Sequence, residues 1–196
     1  MNFKTSQQHG CAFVYVLPVS KRKALIEHTL FSEQVIDSQQ YDDALQHFTA
    51  KEMHLKTYTI TEVENGIIPM TDLQFPLQQG KVFFIGTAGG QTKASTGYTF
   101  QFIQKQTDFI VQALLKTGAP AAYKQPARFR FYDRVLLKVL QEKNLPGADV
   151  FQRMFAKNNP KNVLQFLDNE TSIWQELAIM NSSKKTVFLP AAFKVW

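Results

Sequence analysis

Along residues 12–18, AFVYVLP, apolar side chains fill both alternating faces, which predicts a buried strand ended by Pro18. Lys21-Arg22-Lys23 predicts a turn, and ALIEHTLF over 24–31 a second strand, giving a hairpin-like pair. Residues 38–54 place Tyr41, Leu45 and Phe48 on one helical face behind a cap at Ser38. LKTYTITEVE, residues 55–64, alternates and is rich in β-branched side chains, so it reads as a strand. Asn65-Gly66 signals a turn before a short strand at 67–70. A loop over 71–80 then leads into a buried strand at 81–85.

From residue 97 the period changes to that of helices. One helix is predicted over 97–117, broken by Gly118 and Pro120. A second covers 127–143, with Phe131, Val135, Leu136 and Val139 spaced for one face. Shorter helices follow at 148–157, 160–168 and 171–180, and Pro190 marks the last turn. A strand-rich half before a helical half predicts an α+β chain. Its expected divisions are 1–85, a partial sheet with one helix; 86–118, a loop and helix; and 119–196, a helical region. There is no internal repeat and no low-complexity tract.

Composition sharpens this picture in three ways. The 196 residues can bury a core, and 17 phenylalanines suit a thick core or a pocket for a long apolar ligand. The net charge of +6 is uneven: residues 1–110 carry 9 Lys+Arg against 10 Asp+Glu, and residues 111–196 carry 13 against 6. A basic second half attracts anionic lipid, an acidic partner or nucleic acid, or is simply a solvated surface. The single Cys11 has no partner for an internal disulfide, which points to a reducing compartment. No apolar run approaches the roughly 18–20 residues that span a bilayer, and MNFKTSQQHG lacks the apolar stretch of a signal peptide. Any membrane contact is therefore expected at the surface.

The stretch GTAGGQTKASTGY, residues 86–98, holds four of the nine glycines. It stands between a predicted strand and a helix, where backbone N–H groups and the helix dipole attract phosphate. Ser95 or Thr96 is a candidate cap for the helix beginning near Gly97. The plainer reading is a connection that needs room. No GxGxxG, GxSxG or P-loop accompanies it.

Glu27 shares a strand face with Leu25, Thr29 and Phe31. A carboxyl between two apolar neighbours is partly desolvated, which favours the neutral, proton-donating form. The alternative is a rim carboxylate paired with Lys21, Arg22 or Lys23. Asp43 and His47, four residues apart, and His54 lack any accompanying HExxH or CxxC pattern, so no metal site is expected. Arg128-Phe129-Arg130-Phe131-Tyr132 interleaves basic and aromatic residues. On a helix these fan around the axis instead of forming a stacking platform, so nucleic acid is not expected.

Several segments taken together resemble the lycopene β-cyclase family. They are Phe13-Val14-Tyr15-Val16-Leu17-Pro18, Ala24-Leu25-Ile26-Glu27-His28-Thr29, Ile68-Pro69-Met70, and Gly86-Thr87-Ala88-Gly89 with Ser95-Thr96-Gly97-Tyr98, in matching order and spacing. Phe131-Tyr132-Asp133 and Phe166-Leu167-Asp168 in the helical tail look similar too. The resemblance runs over nearly the whole chain, and it is to the C-terminal half of the family's proteins.

It implies a flavoprotein of the Rossmann-FAD, hydroxylase-like type, whose mixed sheet the strand-rich half would join. Gly86, Thr87, Ala88, Gly89, Ser95, Thr96 and Gly97 then correspond to the second FAD-contacting segment, the first lying in an N-terminal FAD-binding half outside this polypeptide. The chain would begin at an internal methionine and be inactive without that half. The implied substrate is lycopene or a related linear carotenoid, cyclised to β-ionone rings with reduced FAD bound. Glu27 matches the carboxylate of the family's Ile-Glu-x-Thr stretch and is the implied acid. Lys93-Ala94 precede Ser95 where the family commonly carries His-Pro. The implied location is cytoplasmic, at the inner face of an anionic membrane. Two other readings remain open here: a non-catalytic protein that binds apolar ligands or membrane surfaces, and a truncated product of a longer gene.

Overall fold

The computed structural model describes all 196 residues as an α+β protein in two compact units. The first unit comprises Met1–Ile67 with Leu145–Phe151, and the second Ile68–Asn144 with Gln152–Trp196.

In the first unit, strand β1 (Cys11–Pro18) pairs antiparallel with β2 (Ala24–Phe31), from Cys11 opposite Phe31 to Pro18 opposite Ala24. The turn between them is held by the Ser20 hydroxyl, which accepts from the backbone N–H groups of Arg22 and Lys23. Burial is confined to one end of the hairpin. Cys11, Ala12, Phe13 and Val14 are buried, whereas Leu17 and Leu25 at the other end are exposed. The buried end is aromatic: Phe31 meets Phe13 edge-on at 5.5 Å between ring centroids and Phe151 at 5.9 Å.

Helix α1 (Ser38–Lys51) packs on β2. Its cap is Asp37, not Ser38, because the Asp37 carboxylate and the Gln40 side chain form a reciprocal capping box. Burial pushes the Cys11 thiol up to about 12. Cys11 is therefore expected to resist a thiol reagent at about pH 8 in the folded protein and to react fully once unfolded. Native labelling at the unfolded rate would show that this end of the hairpin opens.

Residues 52–77 form no regular element, so the strands predicted over 55–64 and 67–70 are absent. Alternation gives a segment two faces, but a strand also needs a neighbour for its backbone hydrogen bonds. Both sheets here are two-stranded and neither reaches this segment. The strand expected over 81–85 shrinks to β4 (Val82–Phe83), paired with β3 (Gln78–Gln79) across a turn.

The second unit is otherwise helical. Helices α2 (Phe100–Thr117), α3 (Ala127–Glu142), α4 (Gly147–Lys157), α5 (Pro160–Leu167) and α6 (Ile173–Asn181) begin and end within three residues of where the spacing predicts them, and a further helix, α7 (Lys185–Val195), stands where none is predicted. The first residues of α4, to Phe151, belong to the first unit. Helix α3 packs against α7, and α5 against α6. Phe129, Val139, Val163, Leu167, Ile179 and Ala191 form the buried core.

Pro190, expected to mark a last turn, lies inside α7. Its missing N–H weakens that helix, and packing of α7 on α3, with Ala191 buried, offsets the loss.

Candidate functional site

The glycine-rich stretch folds as two consecutive turns. Gly86–Gly89 make a single 3₁₀ turn, closed by Gly90 in the left-handed region at φ 72°. The backbone N–H of Gln91 returns to the carbonyl of Gly86 at 3.1 Å. The second turn encloses Ser95, Thr96 and Gly97: the Lys93 carbonyl accepts from the Thr96 and Gly97 N–H groups, and the Lys93 N–H donates to the Tyr98 carbonyl at 2.8 Å. Gly97, at φ 73°, takes a conformation that side chains other than Gly or Asn disfavour.

At Gly89 the constraint is room. A Cβ there would collide with the Phe84 carbonyl oxygen and sit 2.7 Å from Gln91 Nε2. Gly89→Ala is therefore expected to lower the melting free energy of the second unit by about 1–3 kcal/mol. Ala88→Gly, at the exposed neighbouring position, is expected to change it by less than about 1 kcal/mol. Equal effects in thermal melts would refute the packing argument.

The two turns expose different chemistry. Thr87 and Ala88 are exposed, and the hydroxyls of Thr87, Thr92 and Thr99 form a chain with links of 3.1 Å. Helix α2 starts at Phe100, later than predicted, and its cap position is Thr99. The Thr99 hydroxyl donates back to the Gly97 carbonyl and caps nothing, so the α2 N-terminus carries no side-chain cap. Neither Ser95 nor Thr96 serves as that cap. The Thr96 hydroxyl accepts from the Tyr98 N–H, and the buried Ser95 hydroxyl donates to Asp133 Oδ1 at 2.6 Å.

Asp133 belongs to a buried polar network that the periodicity of α3 does not reveal. Lys93 Nζ lies 2.7 Å from Asp133 Oδ1 and 2.7 Å from Asn169 Oδ1. The Asn169 amide in turn donates to Gln125 Oε1. Burial pushes the Lys93 ammonium below its ordinary value, and the Asp133 charge opposes that shift. The segments 93–98, 131–133 and 166–169 are thus tied together through Lys93, Ser95, Asp133 and Asn169. The legible signal was an acid at an apolar-face position, four residues after the buried Phe129, since a buried charge requires a partner.

Next to it, Glu176 of α6 is wholly buried. Arg128 Nε lies 3.1 Å from both of its oxygens, the Tyr132 hydroxyl donates at 2.9 Å, and Thr171 adds a third donor. Burial, helped by that carboxylate, pushes the Tyr132 hydroxyl up to about 12, so it remains a donor. Arg128 and Tyr132, of the basic and aromatic residues over 128–132, are therefore occupied by an internal carboxylate.

Glu27 lies in the first unit, on the half of β2 away from the buried end of the hairpin. It stands opposite Tyr15, and its Oε1 accepts from the Thr29 hydroxyl at 3.2 Å. The side chain is exposed within this chain, as is Leu25, so the neighbours on its face do not desolvate it. Phe31, the other apolar neighbour, turns to Phe13 and Phe151. His28, on the opposite face of β2, lines a cleft of about 590 Å³ with His9, Asp43 and His47. Burial pushes its imidazole below the ordinary value.

The chain belongs to the lycopene cyclase family: the family described as lycopene cyclase protein matches residues 1–191. The lycopene beta-cyclase of Pseudescherichia vulneris is 25% identical over 197 residues, which cover 92% of this chain and 50% of that relative. The chain thus spans about half the length of the curated relative it matches. No solved structure matches it. No helix is long and apolar enough to cross a membrane.

Proposed function

We propose that this chain supplies the substrate-binding half of an FAD-dependent lycopene cyclase, which closes β-ionone rings on a linear carotenoid. The observation that carries this reading is the family match over 1–191, within which the glycine loop and two helical segments are joined by one buried polar network.

In this reading Glu27 is the acid. Its carboxyl adds a proton to a terminal double bond of the polyene, a neighbouring double bond attacks the cation to close the ring, and the Glu27 carboxylate takes back a ring proton as the new double bond forms. The reaction is an isomerisation that consumes nothing. Thr29 orients the carboxyl through its hydrogen bond to Oε1. Water has to be kept from the cation, and the polyene and the partner half together are what would cover the exposed Glu27.

The loop residues Gly86, Thr87, Ala88, Gly89 and Gly97 suit an anionic cofactor. Their backbone bends through left-handed positions beside three threonine hydroxyls, and the following helix begins without a side-chain cap. Ser95 and Thr96 act from behind, fixing the second turn to α3 and to itself. Reduced flavin, when bound, supplies negative charge near a developing cation, with no net electron transfer. The implied partners are a linear carotenoid, an N-terminal FAD-binding half and an anionic membrane at its inner, cytoplasmic face.

Production of the chain in lycopene-accumulating bacteria, alone and with an FAD-binding half, tests this. Cyclised carotenoid is expected only when both are present. A second reading, a non-catalytic apolar-ligand binder, draws on the exposure of Glu27. It predicts retained lycopene in both cultures.

A further inference from the structure

Helices α6 and α7 are apolar on the side that faces the core and on the side that faces away. In α6, Glu176 and Ile179 point inward, while Ile173, Trp174 and Leu177 are exposed. In α7, Ala191 points inward, while Leu189, Phe193 and, directly after the helix, Trp196 are exposed. Trp174, Phe193 and Trp196 are 81%, 83% and 93% exposed. Their spacing is helical: 173, 174 and 177 share one side of α6, and 189 and 193 one side of α7, with 196 continuing it. Water-facing helix surfaces are ordinarily polar, and grouped large apolar side chains mark an interaction surface.

The charge beside these residues selects the occupant. Lys184 and Lys185 lie at the junction of the two helices, no acidic residue follows Glu176 in the sequence, and Lys194, near the end of the second helix, is paired with Glu142 at 2.7 Å. Glu176 itself is buried against Arg128. Indole and phenyl rings beside Lys184 and Lys185 match the boundary between anionic headgroups and acyl chains. We propose that the exposed apolar side chains of α6 and α7 form the surface by which this protein enters the headgroup region of an anionic membrane. The proposal rests on the reading that the protein works at a membrane, and it names the residues that enter it.

Of the chain's two tryptophans, Trp174 is on α6 and Trp196 directly follows α7, so the protein carries its own probe. The 196-residue chain is mixed with phosphatidylcholine vesicles, with and without phosphatidylglycerol, and the vesicles are sedimented. Tryptophan emission is read with and without brominated phosphatidylcholine. Co-sedimentation with the anionic vesicles, a blue shift and bromine quenching are expected. Trp174→Gln with Phe193→Gln is expected to weaken sedimentation about tenfold or more, and Lys184→Glu with Lys185→Glu to abolish the preference for anionic lipid. All four positions are exposed or half-buried, so circular dichroism should show an unchanged fold.

Sedimentation without quenching would mean that another surface meets the bilayer, which overturns this assignment and leaves the membrane reading standing. Absence of sedimentation overturns both. A blue shift before lipid is added, with a dimer in the ultracentrifuge, would show that a second copy covers the face and also overturns it. None of these outcomes depends on carotenoid or flavin, so failure of the cyclase reading is read separately.

Discussion

Replacing Glu27 by Gln in a cyclase completed by its flavin-binding half is expected to slow ring closure by about 10²- to 10⁴-fold while flavin remains bound. The amide keeps the size of the carboxyl and can still accept from the Thr29 hydroxyl, but it has no acidic proton to give. Glu27 is exposed and makes no buried ion pair, so stability should stay within about 0.5 kcal/mol of the parent. Activity and folding therefore separate at this position. The measurement is carotenoid composition in lycopene-accumulating cells beside a thermal melt. Normal turnover by the variant would remove Glu27 from the acid role. A matched loss of activity and melting temperature would make it structural.

The largest effect on stability is expected at Arg128. Its carboxylate partner Glu176 is 0% exposed, whereas the Arg128 side chain is 36% exposed. Arg128→Met leaves a charge deep in the protein with only the Tyr132 and Thr171 hydroxyls as donors, a loss of about 3–5 kcal/mol. Glu176→Met leaves a guanidinium that can turn to water, so its cost should be smaller, about 1–2 kcal/mol. The double change removes both charges and should fall near or below the smaller single value. Denaturant melts of the three variants form the cycle that tests this. If Glu176→Met is the more damaging single change, burial is not what makes the pair asymmetric.

The helical half was largely legible in sequence because a helix satisfies its own backbone. Period, caps and breakers are local, and α3 begins at Ala127 as the pattern predicts. The strand-rich half was legible only where a partner follows closely in the chain, as β2 follows β1. LKTYTITEVE has the composition of a strand and stays irregular because no neighbour lies beside it. Glu27 could be found by its resemblance to a family motif, but its exposure could not, because burial depends on which side chains converge from elsewhere. Lys93 stood out as a departure before Ser95. That its ammonium joins Asp133 to Asn169, across 36 further residues, was not visible locally.

The amino-acid order by itself determined the α+β class, the placing of helices α1 to α6 and the uneven charge, since helical period and composition are read within the sequence. Tertiary structure decided which polar groups are buried together. Lys93 with Asp133, and Arg128 with Glu176, are separated by tens of residues and exchange water for one another only when the loop and helices that carry them pack. A charge removed from water is tolerated only beside a partner with matching geometry, and that geometry exists only in the assembled fold.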